Sequence, residues 1–127
     1  MKPEELRIGN WVQDVGHVDR PYQIQGFGQN NTCLDEIGVG WIPSKLEPIP
    51  LTEEWLERFG FIPYDEFSHP CFERNGYLVS YVYGKWDVQI GSIRANRLGL
   101  DYVHQLQNLY YSLTGEQLIM KNAFTVE

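Results

Sequence analysis

The stretch Leu100–Leu118, LDYVHQLQNLYYSLTGEQL, constrains this chain more than any other, because it keeps one helical period longer than any other segment keeps a period at all. Val103, Leu106, Tyr110 and Leu113 fall at i, i+3, i+7 and i+10, with Tyr102 and Leu109 widening the stripe. Gln105, Gln107, Asn108 and Ser112 occupy the remaining face. Asp101 is the expected N-cap, since its carboxylate can accept from first-turn amides and suits the dipole there. Gly115 is the expected left-handed residue past the helix end, with Leu118 folding back as an apolar clasp. The spacing predicts a helix of about 12 to 14 residues with both ends signalled. No Lys or Arg lies between Asp101 and Gly115. A polar face of amides, without salt-bridging charges, predicts that the helix is partly covered by other protein.

Before that helix the chain reads as two β regions joined by a short helix. From Leu6 to Leu51, brief strands alternate with Gly and Asn turns. Turn residues run from Val15 to Pro21, a strand covers Tyr22–Gln25, and a loop spans Gly26–Asn31. Strands are expected again at Thr32–Ile37 and Val39–Ile42, and the spacing suggests a small SH3-like meander. Pro48-Ile49-Pro50 reads as a stiff connector. Thr52 then caps a helix over Glu53–Phe59, with two glutamates in its first turn and Gly60 ending it; Trp55, Leu56 and Phe59 face the core. From Phe61 to Leu98 a hairpin is built on Asn75-Gly76, the strongest short hairpin signal in the chain, with Cys71–Arg74 and Tyr77–Tyr83 as its arms. Trp86–Ile90 and an edge strand from Ile93 extend the sheet, which the C-terminal helix is expected to back. The fold class is α+β, and the 127 residues are read as one domain: β-rich 6–51, helix 52–60, hairpin sheet 61–98, helix 101–114.

The run YVHQLQNLYYSLTGEQL, Tyr102 to Leu118, resembles the C-terminal signature of small uncharacterised proteins of Bacteroides-type bacteria and their phages. LRIGNWV at Leu6–Val12 and EPIPLTEEWLERFGF at Glu47–Phe61 match the same pattern. The resemblance implies a compact α+β domain from a phage or mobile-element setting. That family has no established activity, so it supplies no catalytic residues.

Composition limits the partners. The net charge of −7, from 17 acidic against 10 basic residues, opposes binding to a long nucleic-acid backbone, which depends on phosphate neutralisation. No run of apolar residues is long enough for a membrane span, and the first ten residues lack the apolar core of a signal peptide, so a cytoplasmic location is expected. Cys33 and Cys71 then read as reduced, half-buried thiols.

Chemical motifs are sparse. His104 could act as a base oriented by Asp101, but the simpler reading is a partly exposed residue near a helix start. His69 and Cys71, two residues apart, offer too few ligands for a metal unless His17 and Cys33 converge with them. The acid pairs Asp35-Glu36 and Asp65-Glu66 read as solvated charges, and the glycines of Gly26-Phe27-Gly28 lack the strand-to-helix context of a phosphate loop. No catalytic residue, metal or cofactor is assigned.

The aromatic content, 14% of the chain, exceeds what the core of a domain this size requires. Tyr77, Tyr81 and Tyr83 alternate along one strand face; if that face is open, it is a stacking surface. Arg74, Lys85, Arg94 and Arg97 lie near it in sequence and could hold a phosphate, and Trp86 adds a further ring. These eight residues form the expected ligand site, for a small nucleotide-like molecule sequestered without catalysis. The alternatives are a protein-interaction or assembly module, including a homo-oligomer, and, less favoured, a small hydrolase using His104 or His69.

Overall fold

A computed structural model of the chain describes residues 5–14, 17–29, 32–34, 40–41, 45–64, 70–82, 84–90, 93–94 and 100–120. In chain order its elements are β1 (Trp11–Asp14), β2 (His17–Gln23), β3 (Gly26–Phe27), β4 (Cys33–Leu34), β5 (Gly40–Trp41), β6 (Leu46–Pro48), α1 (Glu53–Arg58), β7 (Ile62–Pro63), β8 (Cys71–Arg74), β9 (Tyr77–Val82), β10 (Lys85–Ile90), β11 (Ile93–Arg94) and α2 (Val103–Thr114). The class is α+β. The chain divides into two compact units, one of Met1–Pro50 with Tyr102–Gln117, the other of Leu51–Asp101 with Leu118–Glu127. No helix among the described residues is long and apolar enough to cross a membrane.

The first unit carries the sheets β2-β1-β6 and β3-β4-β5, all pairs antiparallel. Leu6, Val12, Ile24, Cys33 and Leu46 form one buried cluster, with Tyr22 against it. Three readings of this region are corrected. His17–Pro21 is strand, not turn: Pro21 faces Gln13 across the ladder, and its missing N–H is tolerated because β2 lies at a sheet edge. Pro48 likewise ends a strand facing Val12, where a connector was expected, and Gly26–Phe27 pairs with β4. Proline and glycine suppress a strand signal in sequence without forbidding an edge or a very short strand.

The second unit carries the antiparallel sheet β11-β10-β9-β8-β7. Thr52 caps α1 as expected, its hydroxyl accepting from Trp55 N at 3.4 Å, and Gly60 leaves the helix at φ +86°. Trp55, Leu56 and Phe59 are buried.

In α2 the C-terminus follows expectation: Gly115, at φ +75°, donates its N–H to Tyr111 O at 2.8 Å. The N-terminus does not. The cap position falls on Tyr102, whose N–H donates to Gln105 Oε1 at 3.0 Å. Asp101 is instead the acceptor of the Leu51 N–H through its backbone carbonyl, a placement outside the helix. The helix also belongs with the N-terminal sheets, whereas nearness in sequence had set it against the hairpin sheet.

Candidate functional site

The expected ligand surface lies on the hairpin of the second unit. Asn75 and Gly76 reverse the chain with φ of 51° and 86°, the paired positive values of a type I′ turn, so β8 and β9 meet with Arg74 opposite Tyr77 and Phe72 opposite Val79. On the other side of β9, Trp86 faces Tyr81 and Val88 faces Val79. Residues opposite one another in an antiparallel ladder share a face. Phe72, Arg74, Tyr77, Val79, Tyr81, Trp86 and Val88 are therefore on one side of the sheet.

That side is the core side at its centre. Val79 is 0% exposed, and Phe72 and Val88 are buried beside it. An open platform of tyrosines is thus corrected to two flanking positions. Tyr77 and Tyr81 are four residues apart, roughly 13 Å along a strand, too far for one base to stack on both. Tyr77 is half-buried, and Tyr81 is 40% exposed. Trp86 is buried, its ring 5.0 Å from that of Tyr81 and 6.2 Å from that of Phe72, and its indole N–H donates to Leu51 O at 2.9 Å. It supports Tyr81 from below and offers no free face.

The cations separate in the same way. Arg74 Nη1 donates to Phe59 O at 2.7 Å, placing a guanidinium on the C-terminal carbonyls of α1, where the dipole favours positive charge. Gly60 permits this approach, since a Cβ there would stand 2.5 Å from Nη1. Lys85 is exposed at the start of β10. Arg94 lies in β11, paired with Gln89, without a described side chain; Tyr83 and Arg97 are outside the described residues. Of the eight expected residues, Tyr81 and Lys85 are the described ones left exposed, with Tyr77 at the margin, but Lys85 stands opposite Val82 and so on the other face of the sheet from Tyr81.

The groups able to do chemistry are drawn into the interior. Burial pushes the thiols of Cys33 and Cys71 above their ordinary range, outweighing the backbone hydrogen bond from Phe72 that acts the other way at Cys71. A thiol held protonated is a poor nucleophile. His104 is 4% exposed, correcting the reading of a partly exposed residue. The acid pairs and His69 are outside the described residues, and among the described residues no three His, Cys, Asp or Glu side chains gather as metal ligands.

The amide face of α2 is covered by the chain's own N-terminal turn, as its lack of charge implied. Gln107 is bidentate: Oε1 accepts from Trp11 N at 2.9 Å while Nε2 donates to Gly9 O at 2.8 Å. Asn10 Nδ2 donates to Asn108 Oδ1 at 2.9 Å, and Asn108 Nδ2 to Glu5 O at 3.1 Å. The Arg7 guanidinium sits 4.3 Å above the Tyr111 ring. Leu6–Val12 and the C-terminal run Tyr102–Leu118 are thus hydrogen-bonded partners, which gives their residues a structural role. Three large side chains in these segments are nevertheless exposed: Ile8, Tyr111 and Leu113. Leu113 continues the buried stripe by spacing, but the whole of 111–113 is exposed in the last turn of the helix. Comparison with known protein families, with curated proteins and with solved structures finds no match to this chain.

Proposed function

We propose that this chain is a non-catalytic binding protein of a phage or mobile element, acting in the bacterial cytoplasm, that sequesters a small nucleotide-like signal of host defence. The observation that carries the reading is the exposed ring of Tyr81, backed by the Trp86 indole at 5.0 Å. A ring fixed from behind loses little freedom when a base stacks on its outer face, and base–aromatic stacking contributes about 1–3 kcal/mol. The net charge of −7 disfavours long nucleic acid while leaving a compact anion acceptable. A thermal-shift screen against mononucleotides and cyclic dinucleotides tests this, since a ligand of the folded state raises Tm by mass action. The expected result is a rise with one nucleotide class that Tyr81→Ala abolishes. Flat curves across the set would remove the reading.

The exposed Ile8, Tyr111 and Leu113 support a second reading, a protein-interaction or assembly module. Under it, Leu113→Lys would dissociate a partner or a homo-oligomer, and a strictly monomeric chain by light scattering, with no partner, would count against it.

A further inference from the structure

The buried imidazole of His104 has no role in the binding reading, and its placement is unusual. It is the second residue of α2, its Nδ1 is buried, and that atom has no hydrogen-bond partner among the described residues. The ring lies nearly parallel to that of Tyr102, with centroids 6.1 Å apart and planes at 18°. By helical spacing His104 heads the same side as Gln107, Asn108 and Tyr111, the residues that hold the N-terminal turn. We infer that His104 is an acid-sensitive latch: protonating its ring loosens the first turn of α2 and weakens the grip of that helix on Leu6–Trp11.

The physical case rests on where a charge would have to go. An imidazolium has two N–H donors, and no acceptor among the described residues meets Nδ1. The charge would also stand in the N-terminal turn of a helix, where the dipole is already positive. Burial is the largest influence and favours the neutral ring, lowering its pKa from the ordinary 6.5, while the Glu5 carboxylate pulls the other way. The ring escapes the cost by turning out to water, which disrupts the row it shares with Gln107 and Asn108. Because the unfolded chain takes up the proton more readily, the stabilisation is complete above pH 6.5 and is lost progressively as the pH falls below that value towards the lower folded-state value.

Amide protection factors of the full chain, at about pH 7 and about pH 5, test the latch. The Trp11 amide, bonded to Gln107 Oε1, should lose protection on acidification by as much as about tenfold per pH unit. His104→Gln should abolish the loss, while His17→Gln and His69→Gln keep it. Unchanged wild-type protection, or an equal loss in His104→Gln, overturns the inference. If His104→Gln does not fold, the wild-type ring titration followed by NMR decides: a midpoint at or above 6.5, or one that does not coincide with the loss of Trp11 amide protection, overturns the latch, and a lower midpoint that coincides with that loss upholds it.

Discussion

The first unit buries amides where the second buries rings. Asn10 and Gln107 are both sealed from solvent, and each makes side-chain hydrogen bonds to a segment about a hundred positions away in the chain. In the second unit the buried residues of the described core are apolar, among them Leu56, Phe59, Phe61, Phe72, Val79 and Val88, and the buried Trp86 indole meets a backbone carbonyl. Hydrogen bonds are directional and costly to leave unmade, so the amide clasp admits one register of the N-terminal turn on α2. Apolar packing is governed by volume and shape, and tolerates exchange of residues that preserve both. The first unit should therefore be sensitive to chemistry at fixed size, and the second to size at fixed chemistry.

The largest expected effect breaks the second unit. Phe59→Ala removes a ring that is fully buried and should cost about 3–5 kcal/mol in denaturant unfolding, whereas Phe59→Leu should cost markedly less. In the first unit, Gln107→Leu preserves approximate volume but strands the Trp11 N–H and leaves the Gly9 carbonyl with Gln23 Nε2 as its side-chain donor, and should cost about 1–3 kcal/mol by the same measurement. A small effect there would mean that size, not hydrogen bonding, governs both units alike. Next come two glycines with similar backbones. Gly9 (φ +96°) and Gly76 (φ +86°) both strain under an added Cβ, but only at Gly9 does that Cβ meet a neighbour, Gln117 Oε1 at 3.1 Å. Gly76→Ala should cost about 1 kcal/mol and Gly9→Ala somewhat more. Thr52→Ala, which removes the α1 cap, should cost about 1 kcal/mol. The smallest effect sharpens the contrast with a surface control: Glu54→Gln breaks the exposed i,i+4 pair with Arg58 and should cost no more than about 0.5 kcal/mol, falling in salt.

What was legible beforehand follows the range of the interaction. Thr52, Gly60, Gly115 and the Asn75-Gly76 turn act on residues within four positions, and each stands where local rules place it. His104 was misread because its exposure depends on what lies over the second side of α2, which spacing within the helix cannot report. Pro21 and Pro48 were misread because a strand tolerates proline only at certain edges, and edges exist only once strands have been ordered. At the candidate site, alternation put Tyr77, Tyr81 and Tyr83 on one face; the ladder puts Tyr77 and Tyr81 there together, and Tyr83 lies outside the described residues. Whether that face was open depended on partners elsewhere in the chain, as did the diversion of Arg74 to the carbonyl of Phe59.

By itself, then, the sequence determined the α+β class, the limits of α1, the C-terminal end of α2 and the hairpin turn, because backbone dihedrals, caps and short hydrogen-bonded loops are settled among near neighbours. It also announced, through the uncharged amides of α2, that something would cover that helix. Only the tertiary structure decided that the cover is the turn at Leu6–Trp11, that the tyrosine face is closed at Val79 and open at Tyr81, and that an imidazole is sealed in with no partner for Nδ1 among the described residues. Burial and long-range pairing are properties of which segments meet, and no single segment carries that information.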